Sequence, residues 1–203
     1  MNFGLALENK RSDRRIIDVS VPAMFQLFHP CAGDYIATTC KGRCCSSNGG
    51  NYNITVLPHE QAAIEALGVR VENGRMALGE KERCPFHTPE GFCRINDTKP
   101  FGCNVSPFYF MRGKTGPLLF VRNRFRFLIC FRGGNCADKV PAYKAHPWAL
   151  RYIFGAAGYE ELCQKLEAAK IAGVSRVSME IPDNTFQRML ANDAHKTTMK
   201  VKK

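Results

Sequence analysis

Apolar positions in this chain fall in short runs, broken by Gly, Pro and basic residues, with few long periodic faces. Val19, Val21, Met24, Phe25, Leu27 and Phe28 gather around Pro22, which predicts a short strand or helix packed onto a core. Residues 53–57 read as a brief strand. Pro58 then suits the first turn of a helix, where its missing N–H is not needed, and Gly68 suits the helix end. Leu57, Ile64 and Leu67 share the predicted buried face of that helix, with Glu60 and Glu65 toward water. Residues 69–78 predict a hairpin turning at Asn73-Gly74.

Further on, residues 82–107 hold three cysteines, four prolines and two glycines, which predicts irregular loops. Residues 108–111 and 118–121 read as strands with a turn between them. Residues 124–131 open with period-two alternation of basic and aromatic side chains, again strand-like. Residues 141–154 read as helical around Trp148 with a break at His146-Pro147. Residues 159–171 read as a helix with Leu162, Cys163 and Leu166 on one face and Gly173 beyond its end.

These elements predict an α+β fold: a small irregular cysteine-rich metal-binding core with a short antiparallel sheet and a few peripheral helices. Residues 1–39 are the predicted N-terminal packing segment and 40–137 the cysteine-cluster domain. Residues 138–180 supply C-terminal helices of the same domain, and 181–203 a basic, flexible tail. At 203 residues the chain is long enough for one well-filled core. No apolar stretch approaches the roughly 18–20 residues of a spanning helix. The first apolar residues precede the first basic ones, the reverse of a secretory signal, so the expected location is cytoplasmic, with no membrane partner.

Cysteine content changes this picture. Ten cysteines in a reducing compartment are buried apolar groups, catalytic groups or metal ligands, not disulfides. Most stand beside Gly, Pro and Lys in turn-like segments, which favours metal ligation over core filling. Cys40, Cys44 and Cys45 are followed some forty residues later by Cys84, Cys93 and Cys103. Gly42, Gly91 and Gly102 lie close to these cysteines, and Pro85 and Pro100 fix the backbone approach. Metal coordination needs several thiolates brought within about 2.3 Å of an ion by tightly bent chain. Adjacent Cys44 and Cys45 point in different directions in most backbone conformations, so they serve different irons of a cluster, two separate metals, or one ligand and one structural role. Cys136, reached through the Gly133-Gly134 turn from Cys130, is a candidate to complete the ligand set, and Cys130 a weaker one. Cys163 reads as core and Cys31 as isolated. His87, between Cys84 and Cys93, is the best placed of five histidines, although an exposed loop position fits it better. Spacing leaves iron–sulfur cluster (four-iron, four-sulfide) and zinc both open.

The formal net charge is +11, and residues 98–137 contain no Asp or Glu. That basic, aromatic-rich stretch has three readings. It binds an anionic partner, nucleic acid included. It places aromatics in the core and arginines in solvent. Or it stabilises the negative charge of a four-thiolate iron–sulfur centre. Residues 112–116 contain Gly-Lys-Thr, but the earlier glycine of a phosphate loop is missing.

The order of Cys40 with Cys44-Cys45, the strand and Pro-Glu-containing helix after it, Cys84-Pro85-Phe86, residues 91–95, Lys99-Pro100-x2-Cys103 and Pro107-Phe108 resembles the YkgJ-like cysteine-cluster family, described as a zinc- or iron-chelating domain. The resemblance covers residues 40 to about 108. It implies metal binding by Cys40, Cys44, Cys45, Cys84, Cys93 and Cys103. One branch of that family, a flagellin lysine methylase, implies redox or group-transfer chemistry on a protein substrate. The chain departs from the pattern in the wider Lys41-Gly42-Arg43 spacer, in Lys99 for the usual Arg, and in Asn104 after the last cysteine.

Overall fold

A computed structural model describes residues 14–45, 54–79, 83–113, 116–123 and 127–197. Strand β1 (Arg14–Ser20) alternates buried Ile17 and Val19 with exposed Ile16, and its last residue, Ser20, caps helix α1 (Val21–Met24). A two-residue strand β2 (Leu27–Phe28) follows, then the single turn α2 (Gly33–Tyr35), which runs into a wider π-turn at Ile36–Cys40. Pro58–Glu60 and α3 (Gln61–Ala66) form the expected helix, with Leu57 and Ile64 buried but Leu67 about half exposed. Residues 54–57 make one isolated bridge, Thr55 to Arg75, rather than a strand. The hairpin β3 (Val71–Glu72) and β4 (Arg75–Met76) turns at Asn73-Gly74 as the sequence predicts.

After the short helix α4 (Phe101–Asn104), strands β5 (Phe108–Gly113) and β6 (Gly116–Val121) pair antiparallel in the register Phe108 to Val121 and Phe110 to Leu119. Helix α5 (Ile129–Arg132) stands where alternation suggested a strand. Residues 124–126 of that alternation lie outside the described residues. The amides of Arg132 and Gly133 bond back to Leu128 and Ile129, so local helical bonds replace a ladder. Strand β7 (Val140–Pro141) pairs with β2. Helices α6 (Ala142–Ala145) and α7 (Pro147–Ile171) meet at the predicted His146 break, and α7 is interrupted once more at Gly155. Strand β8 (Arg176–Pro182) and helix α8 (Asp183–Thr197) complete the order.

The main sheet runs β5-β6-β1-β8. It is mixed, not purely antiparallel, because β1 lies parallel to β6 while pairing antiparallel with β8 over seven residue pairs. Ile17, Val19, Phe108, Phe110, Leu119, Val121, Met179 and Ile181 form its buried face in one core with Leu150, Ile153, Leu162 and Leu166 of α7. That helix is therefore central, not peripheral. Residues 181–197, read from their charge as tail, are instead the end of β8 and α8. Met189 is buried, Phe186 lies 5.9 Å from the Phe110 ring, and Asp183 accepts a 2.6 Å hydrogen bond from Arg15.

A second, smaller core joins Ile54, Val56, Ile64, Val69, Val71, Met76, Cys84 and Phe86. Apolar burial drives both cores. Among the described residues no helix is long and apolar enough to cross a membrane.

Candidate functional site

Two cysteine loops are built alike. After Cys40 the chain turns through Lys41 and Gly42, both at positive φ, and the amides of Gly42 and Arg43 donate to the Cys40 sulfur. After Cys84, the amides of Phe86 and His87 donate to the Cys84 sulfur in the same manner. Sulfur held by turn amides is stabilised as thiolate, because N–H dipoles favour the charged form.

The loops are docked on each other. Cys84 donates its amide to Cys45 O at 3.0 Å, and His87 Nε2 lies 3.1 Å from Lys41 O. His87 thus ties the turn between Cys40 and Cys44 to the loop after Cys84. Gly42 and Gly91 meet backbone to backbone: a Cβ on Gly42 would lie 2.4 Å from Gly91 O, and one on Gly91 would lie 2.7 Å from Lys41 C. A bridge between His87 and Cys93, with the Arg94 amide on Phe86 O at 2.9 Å, keeps Cys84 and Cys93 in one small loop.

Helix α4 brings Cys103. Its start is fixed by Glu60, whose Oε1 accepts from Phe101 N at 2.7 Å and whose Oε2 accepts from Leu57 N at 2.9 Å. Glu60 therefore turns inward, not to water, and joins α3 to α4. Glu60→Ala is expected to lower stability by about 1–3 kcal/mol, since two amides lose a charged acceptor. Urea unfolding checks this, and an unchanged midpoint would exclude the clamp.

Between the two cores lies a cavity of about 720 Å³ whose lining includes Cys31, Cys40, Cys44, Cys45, Cys84, Cys93 and Cys103. Six of the seven cysteines expected as ligands, Cys40, Cys44, Cys45, Cys84, Cys93 and Cys103, thus line one cavity. Cys136 does not join them: it is exposed, on a turn held by the Asn135 side chain on Ala137 N. Cys130 is buried on α5 without lining the cavity, and Cys163 is half-buried against the main core. Cys31 is a member that its sequence isolation concealed. None of the ten cysteines forms a disulfide.

His146 also lines the cavity, 2% exposed, and was read in the sequence only as a helix break. Phe28, Phe108 and Trp148 surround its ring at 5.5, 6.3 and 5.1 Å. Nδ1 lies 4.0 Å from Cys31 Sγ, while Nε2 has no hydrogen-bond partner among the described residues. Its pKa falls to about 3 through burial alone. Nothing in the sequence marks this histidine beyond its place between two apolar segments.

Burial dominates the electrostatics. Desolvation, reinforced by Cys84 and Cys93, pushes Cys103 up to about 12, and desolvation first also raises Cys31, Cys40 and Cys84. Cys45 is raised by its hydrogen bond with Cys44, at a sulfur–sulfur distance of 4.0 Å, and then by burial. Lys99 opposes the rise at both Cys31 and Cys103. Among the described residues, no three Cys, His, Asp or Glu side chains already converge as a single-ion site. The sulfurs ring a cavity instead. Thiolates are soft donors, suited to zinc, copper(I) and iron–sulfur centres.

Fold and site together define an α+β protein with a cysteine-lined cavity at the seam of two cores. No family model matches the chain, and neither a curated protein nor a solved structure matches it.

Proposed function

We propose that this chain is a metal-binding cysteine-cluster protein in which Cys40, Cys44, Cys45, Cys84, Cys93 and Cys103 hold an iron–sulfur centre. The observation that carries this reading is the convergence of these six thiols, from three separated segments, on one cavity. The donor set fits such a group in three respects. Burial and neighbouring thiols favour the neutral form of these cysteines, and a bound cationic metal would favour the thiolate instead. Turn amides already point at Cys40 and Cys84. His146 lines the same cavity, and its buried Nε2 has no partner among the described residues.

Iron–sulfur is favoured over zinc by the arrangement of the sulfurs. Zinc gathers four thiolates at about 2.3 Å around one point, whereas a cluster's cysteines bind separate irons and stand farther apart. A bound cluster would supply electron transfer or Lewis acidity. The chain's own residues would hold it, shield it within the apolar walls, and offset its negative charge through Lys99. Redox or group-transfer chemistry on a protein substrate is the role that the family resemblance implies, in a reducing, cytoplasmic setting where free thiols persist.

The alternative, a nucleic-acid- or anion-binding module with purely structural metal, has less support. Phe101, Phe108 and Phe110 of the acid-free stretch are buried in the main core, and half-buried Tyr109 and Phe120 pack edge-on at 6.0 Å. They do not form an open stacking platform.

Anaerobic purification should give a brown protein with broad visible absorption that bleaches on reduction, and Cys84→Ser should weaken it. A colourless protein with stoichiometric zinc would transfer the site to zinc. Chain carrying neither metal after reconstitution would end the proposal. Salt-sensitive gel shifts with single-stranded RNA would instead favour the alternative.

A further inference from the structure

We propose that the thiols are partitioned into two separate four-cysteine centres, Cys31/Cys40/Cys44/Cys130 and Cys45/Cys84/Cys93/Cys103. This rests on the metal-binding reading above and deepens it, adding to the six thiols Cys31, which lines the cavity, and Cys130, which is buried on α5 outside that lining.

The partition follows the two cores. Cys40 and Cys130 belong to the main core, and Cys44 packs against it. Cys84 belongs to the smaller core, and Cys45, Cys93 and Cys103 pack against that one. Adjacent Cys44 and Cys45 therefore diverge, each toward its own group, although their sulfurs remain 4.0 Å apart. Electrostatic neighbours divide along the same line. The thiols that Cys31 feels are Cys44, Cys130 and Cys40, and Cys130 feels Cys40 and Cys44. Cys103 feels Cys84 and Cys93 first, and Cys84 feels Cys93 first. Cys44 also reaches Cys45, Cys84 and Cys103, so the two groups touch along the Cys44-Cys45 edge.

Backbone amides hold Cys40 and Cys130 in the first group and Cys84 in the second. The first group has an independent sign of a missing ligand. Tyr35, 8% exposed, leaves its hydroxyl without a partner beside Cys130, Cys40 and Cys31, and His146, whose Nδ1 lies 4.0 Å from Cys31 Sγ, leaves its Nε2 unpartnered among the described residues. Buried polar atoms are nearly always satisfied, and two exceptions at one thiol group point to an occupant. Four thiolates per group is the number that a cubane cluster or a tetrahedral zinc takes. The remaining cysteines are accounted for separately: Cys136 is exposed, and Cys163 bonds with Tyr159 on α7.

The test uses the full chain, reconstituted anaerobically with iron and sulfide, with iron and acid-labile sulfide counted per chain. Wild type should hold twice the content of one cluster. C31S/C130S and C93S/C103S should each hold half of the wild-type content, and electron paramagnetic resonance of reduced wild type should show coupling absent from both variants. A wild type carrying one cluster's worth overturns the partition, whether or not the variants fold, and leaves the metal-binding reading intact. Equal content in wild type and C31S/C130S overturns it in the same way. Wild type that binds no iron, and no zinc when zinc replaces iron, sinks both. If zinc is the occupant, two ions per chain against one decides the same question.

Discussion

Gly91→Ala should be among the most damaging single substitutions in this chain, although it adds one methyl group. Gly91 has φ +99° and packs against the Lys41 and Gly42 backbone, where a Cβ would come within 2.7 Å of Lys41 C. An L side chain in that backbone region costs about 1–2 kcal/mol. Forcing apart two packed main chains adds about 1–3 kcal/mol, since neither can rotate aside as a side chain would. The expected loss is thus about 2–5 kcal/mol, a large share of the 5–15 kcal/mol typical of a domain. Damage falls where the Cys40–Cys45 loop docks on the Cys84–Cys93 loop, so metal content should fall further than stability alone explains. Gly68→Ala is the matched control. Its φ is +80°, but nothing lies within 4 Å of the added Cβ, so only the backbone cost of about 1–2 kcal/mol should appear. Urea midpoints and metal per chain, measured for both variants, separate contact from conformation. Equal effects of the two substitutions would remove the close loop contact from the account.

What was legible in the sequence was local. Asn73-Gly74, the Pro58 helix start and the His146-Pro147 break are decided by backbone preferences within a few residues, and each stands where its pattern put it, whereas Cys103, expected in an irregular loop, stands on α4. What was not legible depends on partners far along the chain. The β1 strand at residues 14–20 is a strand because residues 176–182 and 118–119 pair with it, and no local signal announces that pairing. Alternation in residues 124–131 suggests a strand, yet Cys130 lies on a helix, where amide bonds within residues 128–133 are local. Charge concealed α8, whose Phe186 and Met189 nonetheless reach the core. Cys31 looked isolated because its neighbours in space, Cys130 and His146, are about a hundred residues away in sequence. Glu60 looked solvated because its acceptor role depends on Phe101, forty-one positions later.

His146 should make the metal-free chain lose stability steeply in mild acid. Its pKa drops from 6.5 to about 3 because the ring is desolvated, with Phe28, Phe108, Trp148 and the Cys31 thiol around it and no carboxylate among these contacts. A depressed folded-state pKa means that the unfolded chain binds the proton more readily. The stability this difference protects is complete above about pH 6.5 and is lost as pH falls toward 3. Linkage at one proton gives a loss of about 2 kcal/mol by roughly pH 5 and about 3 kcal/mol by roughly pH 4. Carboxylates elsewhere titrate in the same range, so the quantity to read is the difference between wild type and His146→Phe. Phenylalanine keeps an aromatic ring among its aromatic neighbours and cannot take up the proton. Chelator-treated wild type should therefore weaken relative to His146→Phe as pH drops from 7 to 4, by about 3 kcal/mol in urea unfolding. Parallel pH profiles for the two chains would mean that the imidazole already reaches water or an acceptor when folded. The unpartnered Nε2 would then no longer count as a sign of a ligand in the cavity.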